Sequence, residues 1–266
     1  MLNLEYLLDE AKNNGLPILK RRAIVREYIQ IIILGNIYRH HLGKTIFFTG
    51  GTSLRYFYKM PRFSEDLDFD TNELTADGFD ELLEAAKKGL MKEGFSVHIK
   101  PKTAGKIFSA ALYFDDLMKL YRINDARSSD LMVKLEIYKP GWIMDTVSDV
   151  LSLYGYNFSA VLLRQDNVIS EKLCALLRRG RGRDIYDLLF MLKRRYPFNN
   201  KLLKANNVEG PPKELVLEHL DKLTQAELKA LAKQIQPFLF NEEDVELVLK
   251  APLYAKKFLI EYPILT

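Results

Sequence analysis

Apolar positions at Leu4, Leu7, Leu8 and Ala11 keep helical spacing, Asn13-Asn14-Gly15 breaks it, and residues 16–41 resume it. Residues 3–42 therefore read as two helices. Thr45-Ile46-Phe47-Phe48-Thr49 is a short β-rich run, and Gly50-Gly51 follows at once. Residues 53–58 suit one or two helical turns before Pro61. Asp66-Leu67-Asp68-Phe69-Asp70 alternates strictly, as a strand with two unlike faces does. An amphipathic helix is expected over 77–91, opened by Thr75 or Asp77 as its cap. Strands follow at 96–100, 107–114 and 131–138, and Pro140-Gly141 ends the last one.

From Val150 onward the β signal fades and helices dominate. Two of them, 170–179 and 184–196, are joined by Gly180-Arg181-Gly182. After Pro211-Pro212 come 215–223, 225–238 and 242–249. There is no internal repeat and no low-complexity tract. The shift near residue 150 divides the chain into an α/β part, residues 1–150 with the N-terminal helices, and a helical part, residues 151–266.

The length of 266 residues is in keeping with two domains. A hydrophobic content of 48% with 28% charged residues is that of a folded soluble protein. Ile31-Ile32-Ile33-Leu34 is the longest apolar stretch, far short of the ~20 residues a membrane span needs. Met1-Leu2-Asn3-Leu4-Glu5 lacks the basic and apolar regions of a signal peptide. The single cysteine, Cys174, excludes an intramolecular disulfide and fits a reducing compartment. A cytoplasmic protein with no membrane association is expected.

Charge changes the picture more. The net charge is +4, yet residues 171–195 hold eight Lys or Arg against three acids, a local +5 that leaves the rest at −1. So local a basic patch points to a phosphate-bearing partner, with a solvated helix face as the plain alternative. The histidines add nothing at this level. His40 and His41 are adjacent and would face apart on a helix, His98 and His219 are isolated, and no zinc pattern is present.

The chemistry concentrates in two places. In Gly50-Gly51-Thr52-Ser53, two glycines let the backbone turn sharply and approach a ligand closely. A helix starting there would aim unpaired N–H groups and its positive dipole end at that ligand, with Thr52 and Ser53 hydroxyls beside them. These four residues alone fit a plain turn equally well. About a dozen residues later, Asp66 and Asp68 share a strand face about 7 Å apart. Paired carboxylates on one edge suit Mg2+ with substrate phosphates. Asp70 extends the series and keeps a solvent-exposed acidic face as the alternative. The spacing, one short helix plus a return strand, would set the phosphate cradle beside the metal carboxylates.

This order of elements resembles the DNA polymerase β-like nucleotidyltransferases. More narrowly, Gly50-Gly51-Thr52-Ser53-Leu54 with Arg62-Phe63-Ser64-Glu65-Asp66-Leu67-Asp68-Phe69 looks like the first motif of the AbiEii/AbiGii toxin family. Glu171-Lys172-Leu173-Cys174-Ala175-Leu176 with Arg183-Asp184-Ile185-Tyr186-Asp187-Leu188 is similar to its second signature. The resemblance covers roughly residues 45–195. It implies an α+β fold, a polymerase β-like domain with a small mixed sheet plus a C-terminal helical domain, with NTP and acceptor in the cleft between them. It also implies a toxin of a bacterial or phage-defence toxin–antitoxin pair, with a cognate antitoxin as partner. Related members, the mycobacterial MenT enzymes among them, transfer nucleotides from an NTP, in some cases onto the 3′ end of tRNA.

Carried over by position, Asp66 and Asp68 are ligands for Mg2+ or Mn2+. Gly50, Gly51, Thr52, Ser53 and Arg62 hold the NTP, and Lys172 contacts phosphate. The final acidic position falls on Asp184 or Asp187, of which Asp184 also reads as a helix cap. Glu136, on a strand expected beside the Asp strand and sharing a face with Lys134, is a candidate base for the acceptor hydroxyl. Lys134 could instead simply neutralise it. Arg178, Arg179, Arg181 and Arg183, with Arg55 and Arg62, are candidates to steer an RNA backbone. Tyr186 suits a core position better than base stacking. Two other functions fit the residues: the same chemistry on a small molecule or protein side chain, and an inactive RNA- or partner-binding module.

Overall fold

The computed structural model describes residues 1–124, 129–142 and 144–260. They form two compact units. The first comprises Met1–Lys59 and Phe63–Leu163, and the second Met60–Arg62 together with the chain from Arg164 onward.

The first unit begins with α1 (Leu4–Asn13) and α2 (Arg21–Arg39). Asn3 caps α1 by accepting from the Tyr6 N–H. Between Ile24 and Ile37 every residue of α2 except Arg26 and Asn36 is buried, packed by α1, α4 (Ala76–Lys92) and β7 (Tyr156–Leu163). Among those buried residues lies Glu27, 1% exposed. Arg55 answers it with Nε 2.8 Å from Oε1 and Nη2 3.3 Å from Oε2. Burial pushes the Glu27 carboxyl up, against the pull of Arg55. Arg55, expected to steer RNA from the surface, is thus committed inside the core. The cap of α4 is Thr75, whose hydroxyl accepts from the Gly78 N–H.

The remaining elements are β1 (Ile46–Thr49), α3 (Gly50–Phe57), β2 (Leu67–Thr71), β3 (His98–Ala104), β4 (Ile107–Phe114), α5 (Leu117–Leu120), β5 (Leu131–Tyr138), β6 (Thr146–Leu153) and β7. The strands form one seven-stranded sheet in the order β3-β4-β5-β2-β1-β7-β6. It is mixed, with β1–β7 and β2–β5 parallel and the other neighbours antiparallel.

The sheet extends further along the chain than periodicity indicates. β6 and β7 form a hairpin, so the first unit ends at Leu163 and not near residue 150. Its two-residue turn is Tyr154-Gly155, both with positive φ (51° and 76°), as a type I′ turn requires. Tyr-Gly lacks the Asn-Gly signature of such turns. β6 is an edge strand with Leu151 as its only buried residue, so it carries no alternating apolar pattern.

The second unit holds α6 (Gln165–Arg179), α7 (Gly182–Lys193), α8 (Asn200–Ala205), α9 (Pro212–Asp221), α10 (Gln225–Ile235), α11 (Glu246–Leu249) and α12 (Ala251–Ile260). The segment Met60–Arg62 is seated in it by an antiparallel bridge between Arg62 and Leu239 and by the Phe240 N–H, 3.1 Å from the Pro61 carbonyl.

Candidate active site

β1 ends at Thr49, and the chain enters α3 through Gly50, where φ is +74°. A Cβ on Gly50 would lie 2.4 Å from Asp68 Oδ2. Glycine is therefore required both for the backbone conformation and for the approach to the carboxylate. The first turn of α3, with its outward N–H groups, starts against Asp68. The Thr52 hydroxyl, expected among the ligand donors, instead donates to the Asp66 carbonyl and ties α3 to the head of β2. Ser53 Oγ is buried and, among the described residues, has no hydrogen-bond partner.

Sheet register builds the acidic face. Thr49 pairs with Asp68, Asp68 with Glu136, and Glu136 with Ser109, so these residues form one row across β1, β2, β5 and β4. Asp66 stands two residues ahead of Asp68. Lys134, two residues ahead of Glu136, donates to its carboxylate. That hydrogen bond, together with the charges of Glu136, Asp66 and Asp68, raises the Lys134 ammonium pKa against a partial desolvation. Three half-buried carboxylates thus surround one ammonium, an oxygen donor set suited to a hard divalent cation. Asp70 is 4% exposed, so this strand face is not a solvated acidic surface.

The second unit carries a separate cluster. Asp187 of α7 is fully buried. Arg62 grips it with Nε 2.7 Å from Oδ1 and Nη2 2.7 Å from Oδ2, and Lys172 of α6 sets Nζ 2.7 Å from Oδ2. Burial alone would push the Asp187 carboxyl up. The charges and hydrogen bonds of Arg62 and Lys172 outweigh it and hold the pKa below its ordinary value. Arg62, expected at the NTP, is instead 1% exposed and spent on Asp187.

Asp184 does a different job. It accepts from the N–H of Arg181, the N-cap residue of α7, at 3.2 Å, and Arg179 bonds it through Nε and Nη2, each at 2.9 Å. The two acids that sequence could not separate are a capping residue and the partner of Lys172.

Of the four arginines between 178 and 183 expected to meet RNA, Arg179 is committed to Asp184, and the Arg183 guanidinium lies over the Phe238 ring at 5.2 Å. Arg178 and Arg181 are exposed. Tyr186 is a core residue, 1% exposed. The histidines depart from expectation. α2 ends at Arg39, which leaves His40 extended, so the His40 and His41 rings approach to 4.4 Å beside Glu81.

The profile of the nucleotidyl transferase AbiEii toxin family, Type IV TA system, matches residues 32–250, a span that includes both clusters. The chain belongs to this family. Membership makes it a nucleotidyltransferase and a toxin of a toxin–antitoxin pair, with an NTP as substrate and an antitoxin as counterpart. A comparison with curated protein sequences returned no match. Among solved structures, the AbiEii chain is similar to JHP933 from Helicobacter pylori at 23% identity, with 90% of this chain and 93% of that chain covered and a TM-score of 0.56. It is also similar to MenT4, a nucleotidyltransferase toxin from Mycobacterium tuberculosis, at 17% identity, with 96% and 90% covered and a TM-score of 0.56. These likenesses show a shared fold. Among the described residues, no helix of the AbiEii chain is long and apolar enough to cross a membrane.

Sequence reasoning missed two relationships in this AbiEii chain: the reach of Lys134 to Asp66 and Asp68 beyond Glu136, and the grip of Arg62 on Asp187. The first had a signal in the strand pattern Lys134-Leu135-Glu136, which puts both charges on one face. The second joins residues 125 positions apart and had none.

Proposed function

We propose that this toxin transfers a nucleoside monophosphate from an NTP to a hydroxyl of an RNA, with the 3′ end of a tRNA as acceptor, in a reaction that requires a divalent metal. The observation that carries this reading is the contact of the Gly50 turn with the Asp68 carboxylate at the head of α3. It joins a phosphate-binding backbone to an acidic row in one place.

Asp66 and Asp68 would hold Mg2+ or Mn2+, and their all-oxygen chemistry fits that ion. Bound there, the ion supplies Lewis-acid stabilisation of charge on the α-phosphate and the leaving pyrophosphate. The first turn of α3 cradles the triphosphate through its N–H groups, and the Ser53 hydroxyl, buried without a partner among the described residues, is a further donor. Glu136, beside Asp68 in the row, takes the proton of the attacking hydroxyl. The new bond joins that oxygen to the α-phosphorus, the α–β phosphoanhydride breaks, and pyrophosphate leaves. Lys172 neutralises a phosphate oxygen as a compact cation. Exposed Arg178 and Arg181 support an RNA acceptor, which in turn implies the cytoplasm.

The test incubates the protein with each α-phosphate-labelled NTP, Mg2+ and total RNA, beside Asp66→Asn and Asp68→Asn variants of unaltered circular dichroism. Label in RNA that vanishes in both variants is the expected result. Label in protein or small molecules alone would move the acceptor, and label undiminished in the variants would overturn the mechanism.

A further inference from the structure

Asp187 has two carboxylate oxygens, and Arg62 takes both at 2.7 Å while Lys172 shares Oδ2 at 2.7 Å. A guanidinium that meets a carboxylate with two parallel N–H bonds fixes the plane of that carboxylate, which a single bond does not. Asp187 is fully buried, out of contact with bulk solvent. Lys172 has a flexible four-carbon stem. Its direction is therefore set by an oxygen whose own direction Arg62 sets. Charge follows the same path: one carboxylate divided between two cations compensates Lys172 only in part. Arg62 reaches this position because Met60–Arg62 is seated on Leu239 and Phe240. At 1% exposure its guanidinium is closed off from solvent.

We propose that Arg62 is a positioning residue of the transferase: through Asp187 it aims Lys172 and leaves that ammonium with uncompensated charge for a phosphate oxygen of the NTP. The inference rests on the reading in which Lys172 meets phosphate. It separates two contributions of Arg62, its charge and its fork, and two substitutions separate them in turn.

The experiment measures inorganic triphosphate binding and the steady-state kinetics of label transfer for the full chain and for Arg62→Met and Arg62→Lys. In Arg62→Met, Asp187 passes wholly to Lys172. The triphosphate Kd and the NTP KM then both rise, on the order of tenfold. In Arg62→Lys the charge stays and the fork is lost. Binding then remains within about twofold of wild type while kcat falls on the order of tenfold or more, because Lys172 is misaimed. A merely structural role predicts no such split. It would lower the folded fraction, read from urea unfolding, and scale every rate by that fraction. If Arg62→Met does not fold, Arg62→Lys decides alone, and a wild-type kcat in it overturns the proposal. Wild-type Kd, KM and kcat in both variants overturn it as well. A wild-type chain that binds triphosphate while the variants are unaltered overturns this proposal alone. One that neither binds triphosphate nor transfers label overturns the transferase reading together with it.

Discussion

Gly50 and Asp68 stand so close that a single added carbon on Gly50 would lie 2.4 Å from the Asp68 carboxylate oxygen. The approach binds the geometry of a loop to that of the acidic row two strands wide beside it. Gly50→Ala meets two penalties at once. The left-handed backbone at φ +74° costs about 1–2 kcal/mol with a side chain. The methyl group also displaces Asp68, and a misplacement near 1 Å at a reacting centre costs on the order of a hundredfold in rate. Labelled-nucleotide transfer by Gly50→Ala should fall by about that factor. Near-wild-type turnover would remove the Gly50–Asp68 contact from the mechanism.

Gly155 supplies the control. Its φ is 76°, close to that of Gly50, but a Cβ built on it meets nothing within 4 Å. Gly155→Ala therefore carries the backbone strain without the collision, about 1–2 kcal/mol read from urea unfolding. Its kcat/KM at working temperature should equal that of wild type. A loss of activity matching that of Gly50→Ala would trace both effects to strain.

Lys134 stands where its positive charge opposes that of an incoming divalent cation. Its ammonium donates to Glu136 and feels Asp66 and Asp68. Lys134→Met removes that competition and should tighten Mn2+ binding, measured by calorimetry without NTP, on the order of tenfold. The same change leaves three carboxylates without their shared counter-charge, so metal-free protein should unfold at lower urea. Unaltered Mn2+ affinity would exclude Lys134 as a competitor of the metal.

The basic stretch separates into spent and available charges. Arg179 is held by Asp184 and Arg183 lies over Phe238, whereas Arg178 and Arg181 are exposed. If RNA is the acceptor, Arg178→Ala and Arg181→Ala should each weaken RNA association and lower the slope of log affinity against log salt by about 1. Arg179→Ala should act chiefly on stability, through the bereft cap Asp184. Equal salt slopes in all three variants would take RNA off this surface.

These contrasts mark what was legible in the sequence. The order glycine turn, short helix, acidic strand could be read because each piece is local: Gly50 needs its φ, and Asp68 with Leu67 and Phe69 alternates at the strand period. The Thr75 cap was legible for the same reason. The β6–β7 hairpin was not, because an exposed edge strand has no apolar alternation and Tyr154 stands where such a turn usually has Asn, Asp or Gly. Nor were the fates of Arg55 and Arg62, since an arginine looks the same in sequence whether it faces water or a buried Glu27 or Asp187. Asp184 and Asp187 lie one helical turn apart, and only Asp184 carries a local cue, its place at the start of the helix. The tertiary partners, Arg179 for one and Arg62 with Lys172 for the other, tell them apart.

Asp187 also fixes how stability follows pH. Its carboxyl is held below its ordinary value of 3.8, with burial opposing and Arg62 and Lys172 prevailing. The folded protein thus binds this proton more weakly than the unfolded chain. The resulting stabilisation is fully present above the unfolded value and is lost as pH falls through it toward the lower folded value. Asp187→Asn strands the charges of Arg62 and Lys172 in the interior and should cost about 3–5 kcal/mol at neutral pH. Below about pH 4 the unfolded wild-type chain takes up this proton while the folded one resists it, so the wild-type advantage shrinks and the gap between the two proteins should narrow. Urea unfolding of both from neutral pH down to about pH 3 reads this difference directly, because other groups titrate alike in each and cancel. A gap that stays constant over that range would mean that Asp187 is not the ionised centre of the cluster.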